Sequence, residues 1–179
     1  DGDEIISLQP SGNRLYVFKT NNIYIYRILS SQGSNFTLER HISGIGSHYK
    51  NSIIKTPYGL CFADDKQISL IRGLEVTELS FAIQDTYQSL SGTGGEAIGY
   101  DSILNTLYYS YSKSEKEMYA YNFNSQSWYL KSTNIFDQNV SNIVLSSKKR
   151  AQAFLSSSKK VGNIADGTGS TQSAIIKTK

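Results

Sequence analysis

The sequence holds very few of the residues from which metal and disulfide sites are built. It has one cysteine and two histidines among 179 residues. A single cysteine rules out an intrachain disulfide framework and a cysteine-based zinc cluster. Two histidines rule out a catalytic zinc site with three histidine ligands. We therefore expect no bound metal and no cofactor.

Long apolar runs and a strong net charge are also missing. No run approaches the length of a membrane span, and no signal peptide is recognisable. The formal net charge of +3 gives no strong case for a nucleic-acid or membrane partner. The chain begins with Asp1 rather than methionine and stops at IIKTK, so we expect a processed piece or a fragment of a longer protein.

Tyrosine and the branched residues are plentiful instead. Hydrophobic residues make up 39% of the chain and charged residues 18%, a balance that allows a packed core. Thirteen of the aromatic residues are tyrosines, which suit strands because the ring packs on the pleated face. Runs rich in Ala, Leu and Glu are absent. The composition predicts an all-β fold.

Strand-like runs recur in four sets. They are EIISL, RLYVFK and IYIYRIL in 4–29, SIIK, GLCFA, ISLIR and VTELS in 52–80, EAIGY, TLYYSYS, EMYAYNF and SWYLKS in 96–132, and SNIVLSS, AQAFLSS, VGNIAD and SAIIKT in 141–178. The second strands contain Tyr16, Leu60, Tyr108 and Phe154, which are 44, 48 and 46 residues apart. Such a period, with up to four antiparallel strands per unit, is typical of propeller blades. A β-sandwich is the alternative.

The prediction is a partial β-propeller of about four antiparallel blades. We expect a single propeller-like region over 1–179, with units at about 1–50, 51–95, 96–140 and 141–179. One segment departs from the β pattern, because Leu79, Ile83, Tyr87 and Leu90 line one helical face. This spacing predicts a short helix near 80–90, with Ser80 capping its start and Gly92 ending it.

Cys61 is the one candidate nucleophile, and it lies in the run GLCFA between Leu60 and Phe62. A catalytic cysteine needs a base or a helix N-terminus that lowers its pKa. A free cysteine in an apolar strand is usually a small buried hydrophobic residue. We therefore predict a buried Cys61. The adjacent Asp64 and Asp65 then form a hairpin turn, since Asp side chains bond their own backbone there.

The histidines and the first acidic residues are weak candidates for metal ligands. His41 and His48 lie in HISGIGSH, which we interpret as a glycine-containing loop, because a metal there would need carboxylates from elsewhere. Asp1, Asp3 and Glu4 resemble the start of a calcium loop. The later oxygen ligands of such a loop are missing, so a strand entry is the better interpretation.

Glycine-rich and basic segments are interpreted as turns. SGTGGE (91–96) and ADGTGSTQ (165–172) lack the Gly-Lys-Ser/Thr ending of a phosphate loop. The clusters Lys148-Lys149-Arg150 and Lys159-Lys160 fall near turns of the fourth unit. They suit either nucleic-acid phosphates or a solvated rim, and we favour the rim. The sequence therefore predicts no particular residue for a nucleic-acid site.

Two further patterns have structural interpretations. Asn35 and Asn139 begin glycosylation sequons, which mean little without a secretory context. The tyrosines of NIYIYRI and TLYYSYS suit a ligand-stacking row, but such residues more often fill blade cores.

The order of these segments resembles a known family. It runs DGDEIISLQPSGNRLYVFKTNNIYIYRI, then ERHISGIGSHYKNSIIKTPYGLCFADDKQISLIRGLEVTELS, then EAIGYDSILNTLYYSYS and MYAYNFNSQSWYLKS. This order is similar to the propeller part of the nozzle, or tail tubular, proteins of short-tailed bacteriophages. Residues 1 to about 135 match in order and spacing. The segment QISLIRG (67–73) departs from the family, which more often has a Gly-Ile-Tyr strand and Asp-Gly there.

The resemblance implies a structural protein of the virion tail and no enzyme. Such a protein packs with copies of itself in a ring, contacts other tail proteins, and surrounds the channel for DNA ejection, with passive contact to the viral DNA. It needs rigid blades and large lateral interfaces. The resemblance implies no membrane partner, no small-molecule substrate and no catalytic residues.

Two alternative functions remain for comparison. A carbohydrate-binding or host-recognition propeller would stack sugars on aromatic rings and, if hydrolytic, would need two carboxylates about 5–5.5 Å apart. The residues available for these roles are Tyr108, Tyr109, Tyr111 and Trp128, with Glu96 and Asp101 as the carboxylates. An interaction propeller of the WD or kelch kind is less favoured, because the repeated Trp-Asp and Gly-Gly signatures of those classes are missing.

Overall fold

In the part of the chain that the structure describes, the strands form four antiparallel sheets, each made of strands consecutive in sequence. The computed structural model describes residues 2–29, 35–90, 96–111, 117–132, 140–146, 150–155 and 161–164. The chain divides into two compact units, Asp1–Gly92 and Thr93–Lys179. Each unit contains two of the four sheets.

Unit 1 contains sheets 1 and 2 and the helical segment. Sheet 1 consists of β1 (Ile5–Ser11), β2 (Arg14–Lys19), β3 (Asn22–Ile28) and β4 (Phe36–Ser43). Sheet 2 follows a 3-10 turn (Lys50–Ser52) and consists of β5 (Ile53–Thr56), β6 (Gly59–Ala63), β7 (Ile68–Arg72) and β8 (Glu75–Glu78). A second 3-10 turn (Ser80–Ile83) then continues into α1 (Gln84–Leu90).

Unit 2 contains sheets 3 and 4. Sheet 3 consists of β9 (Ala97–Asp101), β10 (Thr106–Ser110), β11 (Glu117–Asn122) and β12 (Ser127–Ser132). Sheet 4 consists of β13 (Val140–Leu145), β14 (Ala151–Leu155) and β15 (Val161–Asn163). Tyr16, Leu60, Tyr108 and Phe154 all lie in the second strand of their sheets, so the repeat predicted from sequence is confirmed.

Alternation along the strands builds the core between sheets 1 and 2. Tyr16 and Phe18 point to the same face of β2, and their register partners on β3 are Ile25 and Ile23. Leu60, Phe62 and Ile71 of sheet 2 join this buried cluster. The rings of Phe18 and Phe62 meet edge to face with centroids 5.2 Å apart. Each such side chain contributes about 1.5–3 kcal/mol when fully buried.

The core of unit 2 is made of smaller residues and packs closely. Four alanines of sheets 3 and 4 surround Tyr108, Met118 and Ile143. A Cβ on Gly99 would lie only 2.0 Å from Ile143 Cγ2. Only glycine therefore fits at this point between β9 and β13.

The helical segment lies where the sequence predicts it, but its start is built differently. Ser80 does not cap the helix: its Oγ accepts a hydrogen bond from Ile68 N at 3.0 Å, and the residue at the cap position, Leu79, makes no side-chain cap. Tyr87, which belongs to the predicted helical face, is buried. Gly92, the predicted end, lies outside the described residues.

The loop prediction for HISGIGSH is wrong in its first half. Residues 36–43 form β4, and His41 lies within this strand. The strand has exposed apolar side chains and charged residues in its middle, which is typical of an edge strand. Buried and exposed residues therefore do not alternate along β4 in the way that identifies a strand from its sequence. The predicted strand SAIIKT (173–178) lies outside the described residues.

Candidate functional site

Three hairpin turns of unit 1 surround an open cleft of about 460 Å³. The turns join β1 to β2, β5 to β6, and β7 to β8. Residues 11–14, 16, 55–59 and 71–73 line the cleft. Hairpin turns of this kind carry function in many folds, because a rigid sheet holds them while their side chains remain variable.

Gly59 shapes one wall of the cleft. Its φ angle is +145°, and a Cβ at this position would lie 2.3 Å from the carbonyl oxygen of Ile71. The β5–β6 turn therefore approaches β7 as closely as two backbones can. Thr56 completes this turn by donating from Oγ1 to Gly59 O at 2.9 Å and accepting from Tyr58 N.

Tyr16 lines the cleft and connects the two sheets that form it. Its hydroxyl donates to Gly73 O at 3.0 Å and so ties β2 to the β7–β8 turn. Burial raises the pKa of Tyr16, so the hydroxyl stays protonated and remains a donor. The two sheets of unit 1 therefore hold a defined spacing at this end.

The charge on the lining is positive. Arg14, Lys55 and Arg72 line the cleft, and no carboxylate does. Lys55 and Arg72 are exposed, and neither side chain makes a hydrogen bond or ion pair with another residue in the described part of the chain. Two cations at the cleft are therefore free to meet a ligand.

Arg14 belongs to a small charged row across sheet 1. Its Nε lies 2.6 Å from Glu39 Oε2, and Arg27 Nε lies 2.6 Å from Glu39 Oε1. The hydrogen bond from Arg14, followed by that from Arg27, holds the pKa of Glu39 below its ordinary value. Glu39 stays ionised, and two guanidinium groups share one carboxylate. The row therefore adds to the positive charge beside the cleft.

Cys61 is buried as predicted. It is 0% exposed, and burial raises the pKa of the thiol to about 12. Thr56 Oγ1 lies 4.0 Å from its Sγ. A thiol in this state is protonated and hidden, which is the opposite of what a nucleophile requires.

The predicted turn at Asp64 is also confirmed. Its Oδ1 accepts from Lys66 N at 2.7 Å and from Gln67 N at 2.8 Å. Its Oδ2 accepts from Gly46 N, and its carbonyl accepts from the hydroxyl of Tyr87. Burial raises the pKa of Asp64 in spite of these donors. The residue joins three segments of unit 1 and has a structural role.

The histidines and Asp3 have separate neighbours. His41 stacks on Tyr24 with centroids 4.4 Å apart, whereas His48 Nε2 lies 3.4 Å from Asp65 Oδ2. Asp3 Oδ2 accepts from Asn21 N in the β2–β3 turn and from Asn22 Nδ2 at the start of β3. In the part of the chain that the structure describes, no group of three metal-ligating side chains comes together. Asp1 is not among those residues.

The aromatic residues named for carbohydrate binding are mostly inaccessible. Tyr108 and Tyr109 are 0% exposed, and Tyr111 is 5% exposed. Burial also raises the pKa of Tyr108. Trp128 is half-buried against Tyr121, with centroids 5.2 Å apart. The three tyrosines therefore form no stacking row open to solvent, as expected for blade interiors.

The two carboxylates named for glycoside hydrolysis do not form a pair. Glu96 directly precedes β9 and Asp101 ends it. Five residues of extended chain separate their Cα atoms by about 16 Å, which is too far for a retaining pair. Most residues named for carbohydrate binding are therefore buried or too far apart. The carbohydrate-binding function stays a prediction, and these residues do not form a site for it.

Asp101 has a different role at the start of β14. Its Oδ2 accepts from Arg150 Nε at 3.0 Å and from Ala151 N at 3.1 Å. Burial alone would raise the pKa of Asp101, but the backbone donors, led by Leu104 N, and Arg150 outweigh it and hold the pKa below its ordinary value. Arg150 is therefore an ion-pair partner and not part of a free basic turn.

Several sequence candidates lie outside the described residues. They are Lys148, Lys149, Lys159, Lys160, Asn139 and the segments 91–95 and 165–172. Asn35 is described and exposed, and its carbonyl accepts from Leu29 N. The cleft cations, in contrast, were missed, because Arg14, Lys55 and Arg72 stand alone in the sequence. A signal that could have found them is their shared position next to predicted hairpin turns.

Comparison with known proteins identifies the fold. No protein-family model and no curated protein matches the sequence. Among solved structures, the chain is similar to the WD40 domain of Neurospora crassa Pan2 (TM-score 0.61, 10% identity), covering 96% of this chain and 50% of that one. It is also similar to a protein from Lactobacillus plantarum (TM-score 0.58, 13% identity), covering 90% and 51%.

These similarities establish the fold class and nothing finer. The chain has a β-propeller fold, mostly β with one short helix, which confirms the fold class predicted from the repeat. It spans about half the length of the solved structures it matches. Among the described residues, no helix has the length and apolar character needed to cross a membrane.

Proposed function

We propose that the protein is a structural component of a bacteriophage tail, of the nozzle or tail tubular type. The observation that carries this proposal is the ordered resemblance over residues 1 to about 135. The quoted segments correspond one by one to strands: RLYVFK to β2, GLCFA to β6 and TLYYS to β10. The proposal includes assembly into a ring with further copies and other tail proteins, location in the virion, and no catalysis.

The distribution of exposed apolar side chains supports a role in assembly. Five of the exposed large hydrophobic residues lie on β1, on β4 or directly after β3; they are Ile5, Leu8, Leu29, Phe36 and Leu38, each 48–58% exposed. Sheet 1 thus has one face in the core of unit 1 and apolar side chains left in solvent. Exposed large apolar side chains, when several lie on one sheet, are candidates for protein interfaces. A ring-forming tail protein needs such lateral contacts.

Imaging of virions made from the genome that encodes this chain tests the proposal. Antibodies raised against the 179-residue chain are applied to purified particles and located by gold labelling. We expect labelling at the tail end of intact particles, and an antibody against the capsid serves as the control. If label never appears at the tail while the capsid control succeeds, the tail proposal is wrong.

A further inference from the structure

We propose that the cleft of unit 1 binds the phosphodiester backbone of a nucleic acid, with Lys55 and Arg72 as its principal cations. The proposal rests on the cleft alone and not on a role in the virion. The two can therefore fail separately.

The electrostatics of the lining favour an anion. Three cations and no carboxylate line the cleft. The only carboxylate bonded to a lining cation is Glu39, and it is shared between Arg14 and Arg27 among the residues described. Glu75 is the register partner of Arg72 on β8, but no ion pair joins the two in that part of the chain. Lys55 and Arg72 can therefore bind an anion without first breaking an ion pair within the described part of the chain.

The chemistry of the donors favours phosphate. The guanidinium of Arg72 presents a planar fork that matches phosphate oxygens, and the ammonium of Lys55 supplies a compact second charge. Ser11 and Asn13 add neutral side-chain donors at the cleft, and neither side chain bonds to another described residue. These groups together surround an anion with several hydrogen-bond donors.

The shape of the cleft favours a polymer over a small enclosed ligand. The cleft is open along one side and lies between three turns, so an extended chain can enter and leave it. Gly12 has open space where its Cβ would be, which lets a backbone approach the β1–β2 turn. The half-buried Tyr58 also lines the cleft and places an aromatic side chain beside the cations. An extended nucleic acid uses all of these features.

Binding by the whole 179-residue chain tests the proposal. The probe is a fluorescent oligothymidylate of about 12 nucleotides, a length within the site sizes of single-strand binders. Each phosphate contact on a single strand contributes about 0.7 to the slope of log affinity against log salt, or about fivefold in affinity at 0.1 M salt. The double variant Lys55→Gln with Arg72→Gln is therefore expected to bind about 25-fold more weakly, with a slope lower by about 1.4.

A matched variant controls for net charge. Lys50→Gln with Lys66→Gln removes two exposed cations outside the cleft and is expected to bind like the wild type. Circular dichroism verifies that both double variants fold. Equal loss in both variants would overturn the proposal, because the effect would come from overall charge.

Two further probes separate the ligand classes. Polyglutamate of equal charge is expected to bind more weakly than the oligonucleotide, and equal binding would overturn the preference for phosphate. Inorganic phosphate is expected to compete only at high concentration. If it binds alone and the oligonucleotide gains no affinity over it, the cleft serves a small phosphorylated molecule and the nucleic-acid proposal is wrong.

Discussion

At the residue scale, Asp101 connects the β9–β10 turn to β14. Its carboxylate accepts from Ile103 N, Leu104 N, Ala151 N and the guanidinium of Arg150 while its side chain is 0% exposed. An asparagine keeps Oδ1 as an acceptor but places an N–H donor against two other donors. We expect Asp101→Asn to destabilise unit 2 by about 2–3 kcal/mol, as for loss of a buried charge-assisted bond. Urea unfolding followed by Trp128 fluorescence measures this, with Glu4→Gln as an exposed control.

The same carboxylate predicts how stability depends on pH. The pKa of Asp101 is lowered in the folded protein, so its contribution is present above the unfolded pKa and is lost as pH falls through the folded pKa. The difference in unfolding free energy between wild type and Asp101→Asn is expected to be largest near neutral pH and to shrink below about pH 4. A difference that is constant down to strong acid would contradict this assignment.

Gly59 gives a second prediction at the same scale. Alanine at this position would meet Ile71 O at 2.3 Å and hold a strained φ of +145°. We expect Gly59→Ala to cost about 2–4 kcal/mol, because neither backbone can move without breaking the hairpin. Gly12→Ala is the matched control: it has positive φ but open space, and is expected to cost about 1–2 kcal/mol. Similar losses in both variants would show that the close approach is not what matters.

Cys61 predicts the reactivity of the native chain. Its thiol is buried and its pKa is raised to about 12, so a thiol reagent is expected to label it slowly under native conditions and fast in denaturant. Cys61→Ser is expected to cost about 1–2 kcal/mol, because a hydroxyl replaces a sulfur in apolar surroundings. Rapid labelling without denaturant would contradict the burial.

At the scale of elements, a hydrogen bond from Tyr87 holds α1 against sheet 2. The buried hydroxyl of Tyr87 donates to the carbonyl of Asp64 in the β6–β7 turn. Tyr87→Phe leaves this carbonyl buried without its donor, and we expect a loss of about 1–2 kcal/mol. Amide exchange across 84–90 should accelerate. Tyr26→Phe, whose hydroxyl bonds to no residue among those described, controls for the removal of a hydroxyl; acceleration in it alone would refute the role of Tyr87.

Strand elements could be predicted because their buried residues repeat. The pairs Tyr16 and Phe18, or Leu60 and Phe62, are spaced for one face of a strand, and this spacing recurs in each unit. β4 could not be found in the same way, because Phe36 and Leu38 are exposed and charged residues follow them. Serine is a common helix cap, which is why Ser80 was predicted as one. In the structure its Oγ accepts a hydrogen bond from Ile68 N instead.

The cleft could not be predicted, for a physical reason. Its cations come from the starts or ends of β2, β5 and β7, and only the packing of sheet 1 on sheet 2 brings them to one lining. Sequence clusters of basic residues are misleading here. Arg150, from the clearest cluster, is committed to Asp101.

At the scale of the whole molecule, the proposed ring predicts self-association through sheet 1. We expect Leu8→Glu with Leu38→Glu to weaken oligomer formation by the 179-residue chain, since both side chains are apolar and about half exposed on sheet 1. Light scattering after size-exclusion chromatography measures the mass. Ile103→Glu with Leu104→Glu places the same charge on exposed residues of the β9–β10 turn and should leave the mass unchanged. A monomeric wild type would contradict self-association through this chain alone.

The chain has a single thiol and a single indole, and they lie in different compact units. Cys61 is in the interior of unit 1, and Trp128 packs on Tyr121 in unit 2. Each is thus a natural reporter that requires no engineering. Thiol accessibility follows the melting of the first half of the chain, and the emission colour of the indole follows the second. When both signals are recorded in one denaturation series, they show whether the two units unfold together in one cooperative transition or one after the other.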